Sequence, residues 1–291
     1  KKLKVHGALF LVALIYGANY SIAKELMSVF FTPSGIVFIR IIVGFLLFWG
    51  FHFLYVEEKV ESLSDFIKIG LIGMLGVAFN QIFFFKGLSD TTPINASLIY
   101  TSSPIIVFLI SLALKKESVS QKKTFGVILG LIGAMIILLK GDETLNGINL
   151  KGDFVVLLGA TSFALFLILS KPLLLKYHPV TIMKWSFLFS SLIAFPFGIK
   201  DISMVDWWNL PEKIWLLLIF TVVATTFITY LLNTWALRYA RATTVSAYIY
   251  AQPVIAAFIA IYWGKDQLSL EVILAFILIS LGISFISKTR R

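Results

Sequence analysis

Five pairs of hydrogen-bonding side chains interrupt the apolar stretches of this 291-residue chain. Tyr16 and Asn19 are i, i+3. Asn80 and Gln81 break the run "GVAFNQIFFF". Tyr100 and Ser103 lie on neighbouring turns before Pro104. Thr229 and Asn233 are i, i+4, as are Tyr248 and Gln252 just before Pro253. Side chains three or four residues apart share a helix face. Unpaired amides in apolar surroundings cost several kcal/mol, so such faces must turn inward. There they can hold a polar solute or tie helices together, and both roles stay open for each residue. The residues that make and break bonds are missing. The chain has no Cys, and His6, His52 and His178 lie far apart. No H-E-x-x-H, G-x-S-x-G or Walker pattern occurs. The expectation is no enzyme, no cofactor and no metal. An intramembrane enzyme, the rival from another class, would need a convergent nucleophile and base in a central cavity.

The solvent of these faces follows from composition. Apolar residues make up 59%, charged residues 14%, and mean hydropathy is +0.93. Soluble domains carry about 25% charged residues. A chain this apolar belongs in lipid. Two cations, Arg40 and Lys184, fall inside apolar stretches at roughly matching places. A charge at membrane depth costs at least about 2.5–3.5 kcal/mol unless it reaches the headgroups. The sequence leaves two readings: snorkelling, or a cation that meets a substrate carboxylate near each entrance. Trp185, beside Lys184, reads as an interface anchor. No Asp or Glu lies well inside any stretch, which favours facilitated diffusion or exchange over proton coupling.

The elements that must position these residues are ten apolar stretches, about 6–26, 33–54, 66–87, 93–114, 124–140, 153–173, 179–199, 213–237, 241–263 and 269–287. Most have the length of a helix crossing about 30 Å of hydrocarbon. None alternates as barrel strands do. With the N-terminus inside, sixteen Lys and Arg fall on the cytoplasmic side and seven on the other. That asymmetry predicts both termini in the cytoplasm. It also accounts for the net charge of +10 without nucleic acid.

The chain is written twice. "SLIYTSSPIIVFLISLALKKE" (97–117) returns as "SAYIYAQPVIAAFIAIYWGKD" (246–266), with Pro104 on Pro253 and Lys116 on Lys265. "YGANYSIAK" (16–24) lies against "FALFLILSK" (163–171). The units are 1–145 and 146–291. Five crossings is an odd number, so the second unit stands inverted. Such halves recur in secondary transporters, with the solute site near the midplane. Pro104 and Pro253 each remove a helical N–H and free the carbonyls of Tyr100 and Ile249. A proline kept in both halves favours paired kinks that line the pathway and flex over static packing kinks, which are common in membrane helices. Gly126, Gly130 and Gly133 predict close packing of the fifth helix on the tenth.

These segments, with "PSGIVFIR" (33–40), "GLSDTTPINASLIYTSSPIIVFLISLALKKE" (87–117), "GVILGLIGAMII" (126–137) and the counterparts 236–266 and 275–286, resemble an EamA-type permease of the drug/metabolite transporter superfamily. The resemblance covers nearly the whole chain, although Tyr16 stands where the family commonly has Trp. It implies an all-α integral membrane protein of ten transmembrane helices in two inverted five-helix repeats. It implies a pocket built from helices one, three, four, six, eight and nine, and export or exchange of small metabolites, often amino acids. Tyr16, Tyr100, Phe166 and Tyr248 suggest an aromatic lining. The expectation is an alternating-access carrier in the cell (inner) membrane, a monomer whose partners are lipid and a small solute. A broad drug or metabolite exporter and a non-transporting membrane protein are the alternatives.

Overall fold

The computed structural model describes residues 2–91, 96, 99–118, 120–138, 150–262 and 269–288. Helices α1 (Lys2–Val29), α2 (Pro33–Tyr55), α3 (Leu63–Asp90), α4 (Ser103–Ala113) and α5 (Gln121–Leu138) precede α6 (Leu150–Lys176), α7 (Pro179–Ser203), α8 (Glu212–Tyr239), α9 (242–262) and α10 (Leu270–Lys288). Among the described residues, six are long and apolar enough to cross a bilayer: α2, α3, α6, α7, α8 and α10. Side chains such as Phe53, Leu109, Leu192, Phe197, Leu216 and Phe276 are exposed. Apolar surface spread over so many helices marks a protein whose outer solvent is hydrocarbon. The Lys-acid pair at 265–266, with Lys1, Lys140 and Ser97, lies outside the described residues.

Local signals start several helices. Thr32 caps α2, accepting from the Gly35 N–H at 3.0 Å, and Pro33 takes the first turn, where its missing N–H costs nothing. Ser62 caps α3 through the Asp65 N–H. His178 Nδ1 accepts from the Val180 N–H ahead of Pro179 in α7.

Each unit's third helix contains a π-wound stretch, Leu75–Phe79 in α3 and Phe220–Ile228 in α8. An offset of 149 carries the first into the second. A π turn leaves carbonyls without their usual donors, and side chains supply some of them. Ser162 donates to the Leu75 carbonyl at 2.7 Å and Tyr230 to the Gly76 carbonyl at 2.8 Å. Thr229 donates to the Thr225 carbonyl at 2.7 Å.

The two prolines do more than kink. The fourth and ninth stretches read as continuous helices, but the fourth is broken by a turn at 101–102, and α4 starts only at Ser103. The ninth tightens into a 3-10 turn over Tyr248–Tyr250 before its helix resumes at Ala251. Pro104 would clash with the Tyr100 carbonyl in an unbroken helix. That carbonyl instead accepts from the Ser103 hydroxyl at 2.5 Å.

Corresponding helices pack on each other head to tail. On α5 and α10, Gly126 abuts Gly282 and Ile286, whereas Gly133 abuts Ala275 and Ile279. The anticipated glycine contact therefore forms. On α2 and α7, Gly35 meets Asp201, Phe38 meets Gly198, Phe48 meets Phe187 at 5.1 Å, and Trp49 meets Trp185 at 5.6 Å. In both pairs residue numbers rise along one helix as they fall along the other. A twofold axis relating two antiparallel helices runs across them.

Candidate functional site

A hollow lies where the two halves meet. Its walls come from α1, α2, α3, α6, α8, α9 and Tyr100 just before α4. It measures about 70 Å³, on the scale where one water needs roughly 10–15 Å³. It thus has room for several waters or a small solute.

Eight of the expected residues line it: Tyr16, Asn19, Asn80, Gln81, Tyr100, Asn233, Tyr248 and Gln252. Val12, Ala13, Phe84, Phe85 and Phe163 add an apolar and aromatic wall. Asn80 is held by two bonds, donating to the Tyr100 hydroxyl at 2.7 Å and to the Gly159 carbonyl at 3.0 Å. The Tyr248 hydroxyl bonds His6 Nδ1 at 2.7 Å, which ties α9 to the start of α1.

Three expected residues stand outside the lining. The Ser103 hydroxyl is spent on the Tyr100 carbonyl. Thr229 is hydrogen-bonded to Tyr16 Oη at 3.0 Å, so it positions a lining residue from behind. Phe166 is buried under Gly76, and Phe163, one turn earlier on α6, takes the wall position. The reason is geometric, since residues three apart on a helix share a face but sit a turn apart in depth. Pro104 and Pro253, expected to line the pathway, also lie off the wall.

The two cations correct the sequence reading. Arg40 sits at no entrance. It lines the central hollow and is 3% exposed. Its guanidinium carbon lies 5.0 Å from the Phe85 ring centre. Lys184 does not line the hollow. Its ammonium lies 4.9 Å from the Trp49 ring centre, 4.6 Å from that of Trp185, and 3.3 Å from His52 Nδ1. Trp185 therefore contacts a cation and packs edge-on against Trp49. Snorkelling fails for Arg40 because α2 is covered at that depth by α3 and α8, which leaves the side chain no lipid-facing route.

Tyr230 was missed. It lines the hollow, accepts from Gln81 Nε2 at 3.4 Å and donates to the Gly76 carbonyl. A signal existed: Tyr230 lies 149 residues after Gln81, the offset of the repeat itself. Two repeat mates thus touch in the middle of the molecule.

Among the described residues, no group of three His, Asp or Glu could hold a metal ion. Phenols, amides and one guanidinium around a small void can bind and orient a polar solute.

Comparison with known proteins agrees with this architecture. An uncharacterized transporter of Archaeoglobus fulgidus is 26% identical over 260 residues, covering 89% of each chain. The uncharacterized transporter YyaM of Bacillus subtilis is 22% identical over 292 residues, covering 97% of this chain and 93% of its own. A solved crystal structure superposes with a TM-score of 0.76 at 15% identity, over 97% of this chain and 95% of that one, which speaks to fold alone. The sequence pattern of the EamA-like transporter family matches residues 3–139 and again 150–288. Matched over both halves, the chain belongs to the EamA-like transporter family of multi-pass membrane proteins.

Proposed function

We propose that this transporter works by alternating access, moving small zwitterionic solutes, amino acids foremost, by export or facilitated exchange. The observation that carries the reading is a small polar void walled by both halves, whose corresponding helices pack head to tail. If the halves exchange conformations, the void opens first to one face and then to the other. The reading includes ten crossings in two inverted units, 1–145 and 146–291. It places a monomer in the cell (inner) membrane with both termini cytoplasmic, from the sixteen-to-seven bias of basic residues, and it needs no nucleic-acid partner. The size of the void favours single amino acids over larger drugs or peptides.

Counterflow of labelled amino acids in proteoliposomes tests this directly. Asn80→Ala removes the two hydrogen bonds that tie α3 to Tyr100 and to the Gly159 carbonyl, each worth about 1 kcal/mol. It is expected to slow exchange at least tenfold, since 1.4 kcal/mol is a factor of ten. Tyr248→Ala is expected to do the same. Variants that fold and exchange at the parent rate remove these residues from the site. With no carboxylate on the wall among the described residues, exchange is also expected to proceed unchanged when an uncoupler collapses the proton gradient.

A further inference from the structure

The central hollow holds a cation without an anion. Arg40 Nη2 reaches the Thr225 carbonyl at a long 3.4 Å, and its Nε, fully buried, has no hydrogen-bond partner. Among the described residues, no Asp or Glu lines the hollow. Among the described residues, none of the ion pairs involves Arg40. A buried guanidinium carries a desolvation penalty of several kcal/mol that an ion pair normally offsets. One cation–π contact and one stretched bond return only part of it.

Two more buried atoms of the same lining residues lack partners, and both are oxygens: Asn19 Oδ1 and Gln81 Oε1. The Gln81 amide cannot simply be turned over to cure this. The Tyr230 proton goes to the Gly76 carbonyl at 2.8 Å, so the Tyr230 oxygen must accept, and the Gln81 –NH₂ must face it. The wall is therefore left with an unsatisfied cationic donor and two unsatisfied acceptors. A structural arginine would be expected to find a carboxylate, and structural amides to bond each other.

We infer that Arg40 seats the carboxylate of the transported solute, with Asn19 and Gln81 receiving its ammonium group. This rests on the carrier reading above and assigns the two ends of the solute within it. Lys184, the other cation that the sequence reading set inside an apolar stretch, takes no part. Its charge is already occupied by two indole rings and His52.

The test uses the unmodified chain in proteoliposomes loaded in turn with L-alanine, L-valine, L-leucine or L-phenylalanine. Parallel vesicles hold the amide of each amino acid and the amine left when its carboxylate is deleted. Uptake of the labelled amino acid is measured against each. The amino acids are expected to drive exchange at least tenfold faster than their amides and amines, because only they carry the anion. Arg40→Gln is expected to abolish that preference, and Arg40→Lys to restore part of it. A purely structural Arg40 would change the total rate and leave the acid-to-amine ratio alone. Amides and amines that exchange as fast as the acids overturn the inference while the carrier reading stands. So does an Arg40→Gln protein that keeps the preference. Vesicles that exchange no member of the panel overturn both. The panel itself needs no variant, so a misfolded Arg40→Gln leaves the test intact.

Discussion

Lys123→Met is expected to lower stability by about 3–5 kcal/mol, the usual cost of orphaning one member of a buried ion pair. Lys123 is 0% exposed at the start of α5. It pairs with Glu117 in the preceding turn, whose side chain is 7% exposed. Glu117 also accepts from the Thr243 hydroxyl at 2.9 Å, beside the first turn of α9. One carboxylate thus joins the α4–α5 turn to the start of a helix in the other half. Without Lys123 the carboxylate is left without its counter-ion, supported by a hydroxyl and a helix N-terminus. The double variant Lys123→Met with Glu117→Gln removes both charges and is expected to recover most of the loss. Chemical unfolding of purified protein in detergent reads both. Equal midpoints for the single and double variants would show that stranding Glu117 carries no penalty.

Gly282→Val is expected to cost about 2–4 kcal/mol, at the upper end of overpacking penalties. A Cβ at Gly282 would lie 2.7 Å from the Gly126 carbonyl oxygen and 2.8 Å from the Gly130 nitrogen. These are backbone atoms and cannot swing aside as a side chain would, so α5 and α10 must separate. Gly7→Ala is the control. A Cβ there meets nothing within 4 Å, so the better helix propensity of Ala should leave stability equal or raise it by up to about 1 kcal/mol. If both variants unfold at the same point, the close helix contact is not what holds this pair. No lining residue of the hollow comes from α5 or α10. Any Gly282→Val protein that still folds should therefore keep its solute selectivity.

The residues that sequence reading placed well are those whose chemistry leaves one option. An amide or a phenol inside an apolar run has to turn inward, and Asn19, Asn80, Gln81, Asn233, Tyr248 and Gln252 did. The repeat was legible because Pro104 and Pro253 share one offset. Depth and partnership were not legible. Arg40 and Lys184 occupy similar places in the two halves, yet one lines the hollow and the other lies against two indoles. Which neighbour covers each is decided by packing between distant segments. Ser103 and Thr229 have the right polarity, but a nearby carbonyl consumes each hydroxyl, a local competition that one-dimensional spacing does not reveal. Phe163 and Phe166 differ by one turn, below the resolution of a face assignment. The turn at 101–102 was hidden because proline announces a disturbance without giving its severity.

The touching pair Gln81 and Tyr230 sits where the twofold would make a side chain face its own copy. Had both stayed alike after duplication, any bond between them would be reversible by symmetry. They have diverged, and the chain of donors runs one way only, from Gln81 to Tyr230 to the Gly76 carbonyl. The reversed chain is barred: residue 81 carries no phenol, and Thr229 and Arg40 already reach the carbonyl of Thr225, the equivalent of Gly76. If the halves trade shapes as proposed, the second shape therefore lacks a bond that the first has. On that proposal the idle molecule would have a built-in resting side, leaning toward one face of the bilayer before any solute arrives.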